Sequence, residues 1–329
     1  MRSATIGLRF VAACAAAVFV AGCAGPANEV AASGVPTGST TATTSTTTTT
    51  PITTTTSASP EAKGSPTRQA TPTTAAPFPV SAKLARTAVA RADSLNTPGR
   101  LYAVAVYDRA NNKLSSGQYA TKPIMSASVI KLFVIVELLH EQENGDIELT
   151  DQDRAWIRRA LSGSDDSAMN ALWGKYNGMR ALVAIKDLAG LHQTEPPQDP
   201  AQWGEATISA ADTVAVYRYL LTKLAPDDRD LVLDALAEPT HYGLADDFDQ
   251  YFGFLGPGVR PKNVAAKQGW IGYRPYRLLH SSALLGSRHQ FIAVVLTQQN
   301  NGYSYPDVAQ HVTEVAGTLL KTLGTAATK

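Results

Sequence analysis

Ser126-Ala127-Ser128-Val129-Ile130-Lys131-Leu132-Phe133-Val134-Ile135-Val136 is the stretch on which the reading of this chain turns. On a helix, a spacing of three puts the Ser128 hydroxyl and the Lys131 amine on one face, a turn apart. Lys122-Pro123 upstream disfavours helix and the apolar run downstream favours it, so a helix is predicted over 128–141 with Ser128 at its start. The Ser128 N–H is then one of the unpaired donors of a helix N-terminus and can help to hold an oxyanion. A serine hydroxyl is a weak nucleophile until a neighbouring base takes its proton, and a lysine desolvated in a cleft can be that base. Taken alone, the pair is more readily a helix-start serine with a surface lysine. The apolar neighbours of Lys131 argue otherwise, because a lysine among them needs a partner.

Towards the N-terminus the character of the chain changes twice. Helical spacing of Leu84, Ala88 and Leu95, with Ser81 as a possible cap and Pro98-Gly99 as a stop, predicts a helix that opens the folded part. Before it, residues 24–78 are dominated by Thr, Ser, Pro and Ala and hold almost no large apolar side chain. Such a segment cannot bury enough surface to offset its chain entropy and reads as a disordered tether with a reach of roughly 40 Å. Its Thr/Ser density with Pro also suits O-glycosylation. Arg2 and Arg9 precede an apolar run that ends in Val20-Ala21-Gly22-Cys23. That pattern is a secretion signal over 1–22, too short to span a bilayer, which needs roughly 20 apolar residues. It resembles the lipobox of bacterial lipoproteins, which implies diacylglycerol on the Cys23 sulfur, cleavage just before it, and an extracytoplasmic position at the cell membrane. Cys14 lies inside the segment to be removed, so no second cysteine is left for a disulfide.

Downstream of Ser81 the pattern predicts an α+β domain over 79–329. Leu101 to Asp108 and Lys113 to Tyr119 form a hairpin candidate across Asn111-Asn112. Helices are predicted over 150–161, 179–188 and 209–224, the first and last opened by Thr150/Asp153 and Ser209/Asp212 spaced as capping boxes. Strands return over 263–270, 277–285 and 290–298, and a helix over 306–323 closes the chain. Strands at both ends with helices between imply one antiparallel sheet of about five strands built from the two ends of the domain, a helical lobe, and a cleft where they meet.

Two further elements carry chemistry: Ser164-Asp165-Asp166, and Lys267-Gln268-Gly269-Trp270 on a predicted strand. With Ser128 and Lys131 and in this order, they resemble the S-x-x-K, S-D-N and K-T-G motifs of class A β-lactamases and penicillin-binding proteins, which transfer acyl groups through a serine ester. The resemblance covers the globular part from about Ser81 onward and is similar to that of shorter actinobacterial serine hydrolases of this type. It implies that Ser128 is acylated, that Lys131 helps to remove its proton and that Ser164 relays a proton to the leaving group. Lys267 then supplies positive charge at the substrate carboxylate and at Ser164, and the N–H groups of Ser128 and Trp270 form the oxyanion hole. Asp166, Gln268, Gly269 and Trp270 are the implied substrate-binding positions. No cofactor or metal is expected; the expected partners are a small-molecule or peptidoglycan-derived substrate and, through the anchor, the membrane, with the domain a monomer.

Three positions depart from the family pattern. Asp166 stands where the family has asparagine, replacing an amide donor by an acceptor that can pair with Lys131 and keep it protonated. Gln268 replaces threonine and is expected to put a longer amide into the cleft wall. The loop 191–208 lacks the family's E-x-x-L-N element, leaving Glu195 and Glu205 as candidates for a deacylating base. The Ser128 to Ser164 spacing is also shorter than in class A enzymes, which implies a reduced helical lobe.

Other chemistries find little support. A net charge of +1, from 29 Lys plus Arg against 28 Asp plus Glu, leaves no electrostatic footprint for nucleic acid. No G-x-S-x-G pentapeptide, P-loop or dinucleotide fingerprint is present, and the six histidines show no metal-binding spacing. Arg274 and Arg277 follow the K-x-G element and are further candidates to meet a substrate carboxylate. A non-catalytic descendant of the same fold, binding cell-wall material or a protein at the membrane, is the rival reading kept open by Asp166 and Gln268.

Overall fold

Arg100–Asp108 (β1) and Phe291–Asn300 (β7) pair antiparallel along their whole lengths, from Arg100 opposite Gln299 to Asp108 opposite Phe291. Strands from the two ends of the domain are thereby neighbours inside one sheet. The computed structural model describes residues 82–328. The signal segment, Cys23, the tether and Ser81 as a helix cap lie outside the described residues.

Lys113–Ser116 (β2) adds to β1, while Tyr276–Leu285 (β6) and Ala265–Tyr273 (β5) add to β7, giving the order β2-β1-β7-β6-β5 with every pair antiparallel. The fold class expected from the sequence is the one found. β2 is shorter than the pattern suggested, ending before Gly117, whose N–H turns to the Val104 carbonyl.

Helices cover both faces of the sheet, so the strands read as nearly continuous apolar runs. On one side, Ala82–Asp93 (α1) and Tyr305–Leu323 (α8) pack over Tyr102, Val104 and Val106. On the other, Ala103, Ala105, Val294 and Leu296 meet the helical lobe. That lobe holds Ile130–Asn144 (α2), Asp151–Ser162 (α3), Asp166–Lys175 (α4), Gly178–Ala189 (α5), Ala210–Thr222 (α6) and Pro226–Ala237 (α7).

α2 is buried on every side from Ile130 to Leu139, as expected of a helix that is apolar all round, and Gly145 in the left-handed region closes it. The Thr150/Asp153 capping box forms reciprocally on α3. Ser209 caps α6 by accepting from the Asp212 N–H, but the box is not reciprocal. The Asp212 carboxylate instead accepts from the N–H groups of His192 and Gln193 and from the Thr194 hydroxyl, tying the loop before α6 to the helix. α4 and α7 add to the helices predicted, and Ile124–Met125 (β3) pairs with Thr207–Ile208 (β4) as a two-stranded ladder.

Candidate active site

Ser128 sits in a single 3₁₀ turn, Ala127–Val129, that leads into α2, rather than in the helix itself. The turn starts from Ala127 at φ 47°, a left-handed conformation uncommon for a residue with a Cβ. The Ser126 N–H donates to the Ala206 carbonyl, and the buried His280 accepts from the Thr297 N–H at Nδ1 and so donates from Nε2 to the Met125 carbonyl, at 2.8 Å. Burial holds His280 neutral, its pKa lowered to about 4.

Lys131, on the first turn of α2, has no exposed surface and its Nζ lies 3.0 Å from Ser128 Oγ. The same Nζ contacts the Ser164 carbonyl at 2.5 Å, Ser164 Oγ at 3.5 Å and Asp166 Oδ1 at 2.6 Å, and stands 4.7 Å from the centre of the Trp203 ring. Burial pushes this ammonium below its ordinary 10.5, opposed by the Asp166 carboxylate. Ser164 is itself at φ 51° in the tight turn between α3 and α4. Asp165 caps α4 by accepting from the Ser167 and Ala168 N–H groups and pairs with Arg159, which fixes that turn.

Lys267 closes the constellation from β5. Its Nζ, also without exposed surface, donates to Ser164 Oγ at 2.9 Å and to the Gln268 carbonyl at 2.8 Å. Burial first, and then the positive charge of Lys131, push Lys267 well below 10.5, with Asp166 opposing. Ser128, Lys131, Ser164, Asp166 and Lys267 are thus brought together from three separate segments.

Gly269 has a packing reason. A Cβ there would lie 3.1 Å from the backbone N of both Ser128 and Val129, so only glycine lets β5 come this close to the 3₁₀ turn. β5 is the outer strand of the sheet, and the Gln268 carbonyl faces its open edge, where it meets Lys267 Nζ. Backbone groups two residues apart on a strand point the same way, so the Trp270 N–H lies on that edge.

The alternation of β5 corrects the expectation for Gln268. Ala265 and Ile271 join the core on the helical-lobe side, the side of Lys267, whereas Ala266 joins the opposite core with Phe252 and Phe254. Gln268 is on the second face, away from the cleft wall, and its buried amide donates to the carbonyls of Gln250 and Phe252. Trp270 stacks on Phe248 with ring centroids 4.8 Å apart, and its Nε1 donates to Asp246 Oδ2 at 2.7 Å.

The cleft has a volume of about 290 Å³, and its lining includes Ser128, Asp166, Asn170, Trp203, Trp270 and Ile271. Glu195 and Glu205 do not line it: Glu195 pairs with Lys186 on the surface, and Glu205 ends the 3₁₀ turn that begins at Trp203. Arg277 donates to the carbonyls of Asn301 and Tyr303, away from the cleft. Arg274 is exposed at the β5–β6 turn. Trp203, whose Nε1 donates to Asn170 Oδ1, and Asp246 arrive from loops that carried no sequence signal for the site. Among the described residues no cluster of His, Cys, Asp or Glu is arranged to hold a metal ion.

Residues 152–323, more than half of the chain, match the beta-lactamase enzyme family. The chain belongs to that family. The matched stretch of this beta-lactamase family member contains Ser164, Asp166 and Lys267 and begins after Ser128 and Lys131. It is 33% identical over 211 residues to the "Putative lipoprotein LppW" of Mycobacterium tuberculosis, covering 63% of this chain and 66% of that relative, just under two thirds of its length. Among solved structures, a class A beta-lactamase from Mycobacterium abscessus superposes with a TM-score of 0.56 at 17% identity, covering 72% of this chain and 99% of the other. A class A beta-lactamase from Bacteroides cellulosilyticus gives a TM-score of 0.59 at 13% identity, with 73% and 98% covered. At such identities the likeness concerns the fold.

Proposed function

We propose that this protein is a lipid-anchored serine hydrolase that works through a Ser128 acyl-enzyme on the extracytoplasmic face of the cell membrane. The observation that carries the reading is the convergence of two buried lysines on two serines, with Lys131 Nζ 3.0 Å from Ser128 Oγ and Lys267 Nζ 2.9 Å from Ser164 Oγ. In the proposed reaction Lys131, neutral in the competent state, takes the Ser128 proton as Oγ attacks an ester or amide carbonyl. The N–H groups of Ser128 and Trp270 receive the oxyanion. The proton passes from Lys131 through Ser164 to the leaving group, and Lys267 holds Ser164 in place for that transfer. Water then releases the acyl group.

Two features slow such a cycle. Asp166 contacts Lys131 at 2.6 Å, closer than Ser128 does, and so favours its charged form. Neither Glu195 nor Glu205 lines the cleft to activate water for deacylation. These observations also support the second reading, a weakly catalytic or inactive binding lipoprotein at the cell envelope. Anchoring through Cys23 rests on the Val20-Ala21-Gly22-Cys23 pattern and on the lipoprotein name of the mycobacterial relative.

The test is to incubate the soluble domain with a fluorescent penicillin and with a fluorophosphonate, and to follow intact mass beside a Ser128→Ala control. The expected result is an adduct that the variant loses; no adduct with either reagent would favour the binding lipoprotein. Metabolic labelling with palmitate in wild type and Cys23→Ala tests the anchor.

A further inference from the structure

We propose that the cleft selects ester or amide substrates carrying a positive charge beside the scissile carbonyl and disfavours anionic ones, with Asp166 as the discriminating residue. The inference rests on the hydrolase reading above and concerns its substrate class.

The argument starts from which charges a ligand can reach. Asp166 is the one charged residue among the described residues lining the cleft, and its side chain is 49% exposed although Oδ1 accepts from Lys131. The two cations of the site are hidden. Lys131 and Lys267 have no exposed surface, and their ammonium groups face Ser128, Ser164, Asp166 and the Gln268 carbonyl. The Lys131–Asp166 pair is therefore a dipole whose negative end points into the cleft.

A second carboxylate stands near the mouth. Asp246 is exposed and holds the indole N–H of Trp270, itself a cleft-lining residue. Among the described residues lining the cleft no cation opposes these groups. Arg277 is tied to the Asn301 and Tyr303 carbonyls and lies over the Tyr305 ring, and Arg274 is outside the lining. Gln268, which could have offered an amide to a substrate carboxylate, donates to the carbonyls of Gln250 and Phe252 on the far face of β5. An anionic ligand would thus meet a carboxylate with no charged donor in reach, whereas an ammonium group gains an ion pair.

Three p-nitrophenyl esters of matched length test this: 4-(trimethylammonio)butyrate, its uncharged isostere 5,5-dimethylhexanoate, and 4-sulfobutyrate. Second-order acylation rates are read by nitrophenolate release and Ser128-dependent mass adducts, and the corresponding primary amides are titrated for binding. The expected order is cationic, then neutral, then anionic, with about tenfold between the extremes, a span set by one part-exposed charge. In Asp166→Asn the extremes should fall within about twofold. The ratio within each enzyme is the readout, so a general change in rate does not affect it. A flat or reversed order with Ser128-dependent adducts present would overturn the substrate inference and leave the hydrolase standing. If no ester gives such an adduct, the hydrolase reading falls. The amide titrations then still decide the charge preference, which a flat or reversed order would refute.

Discussion

Replacing Gly269 by alanine probes the contact on which the oxyanion site depends. The added Cβ would stand 3.1 Å from Ser128 N, Val129 N and Val129 Cγ2, about 0.3 Å inside ordinary van der Waals contact. Two of those three atoms are backbone, in a 3₁₀ turn whose residues are all buried, so no side chain can swing aside to relieve the overlap. β5 or the turn must move by a few tenths of an ångström, and overpacking of this kind costs about 1–3 kcal/mol of stability. The same movement displaces the Trp270 and Ser128 N–H groups relative to each other. Losing one oxyanion donor outright lowers rates by roughly 10²- to 10³-fold, so partial displacement should slow acylation about 10- to 100-fold. Urea unfolding measures the first effect, and the rate of Ser128 adduct formation with a fluorophosphonate the second. Gly174→Ala is the control, because nothing lies within 4 Å of its added Cβ on an exposed face of α4. It should gain about 0.5–1 kcal/mol and leave acylation unchanged. A folded Gly269→Ala protein that acylates within about twofold of wild type would refute the assignment of this edge as the oxyanion site.

Two further outcomes follow from the buried charges. Asp166 is the chief group holding Lys131 up against burial, so Asp166→Asn lowers the pH at which Lys131 becomes neutral. The acidic limb of the acylation rate against pH should move to lower pH, and a limb that stays or moves up would contradict Lys131 as the base. Lys267→Met should abolish acylation yet raise stability by about 1–3 kcal/mol at neutral pH, because an apolar isostere removes the cost of desolvating a buried amine. The sign follows from linkage. The unfolded chain keeps Lys267 protonated up to about 10.5 while the folded group has a far lower pKa, so wild type gains stability as pH rises towards 10.5 and the advantage of the variant shrinks. Denaturant midpoints at neutral and alkaline pH check this, and a variant less stable than wild type at both would refute it.

Much of the site is legible in the sequence. Ser128 and Lys131 on one turn, Ser164 before a helix, and Lys267 on a strand are local patterns, and the structure links all four through side-chain contacts. The caps on α3 and α6 were legible for the same reason, since a side chain and a backbone N–H three residues apart meet wherever a helix begins. α7 carried a readable start too, with Pro226 in its first turn followed by Asp227 and Asp228. α4 was hidden because its cap Asp165 and first-turn Asp166 lie inside the motif itself.

What the linear pattern could not hold is the side of a strand and the company of a loop. Period-2 alternation says that Lys267 and Gln268 face opposite ways, but with helices on both faces of the sheet the burial is uniform and hides which face is the cleft. The packing of the 250–252 segment against β5 sends Gln268 to the carbonyls of Gln250 and Phe252. Trp203 over Lys131 and Asp246 on Trp270 are contacts across 72 and 24 residues, set by how loops close over the sheet. Order and spacing of residues therefore determined the fold class and the chemical groups, because helix and strand geometry is local. Tertiary structure decided which groups face a ligand and what charge it meets, because burial and pairing are properties of assembled surfaces.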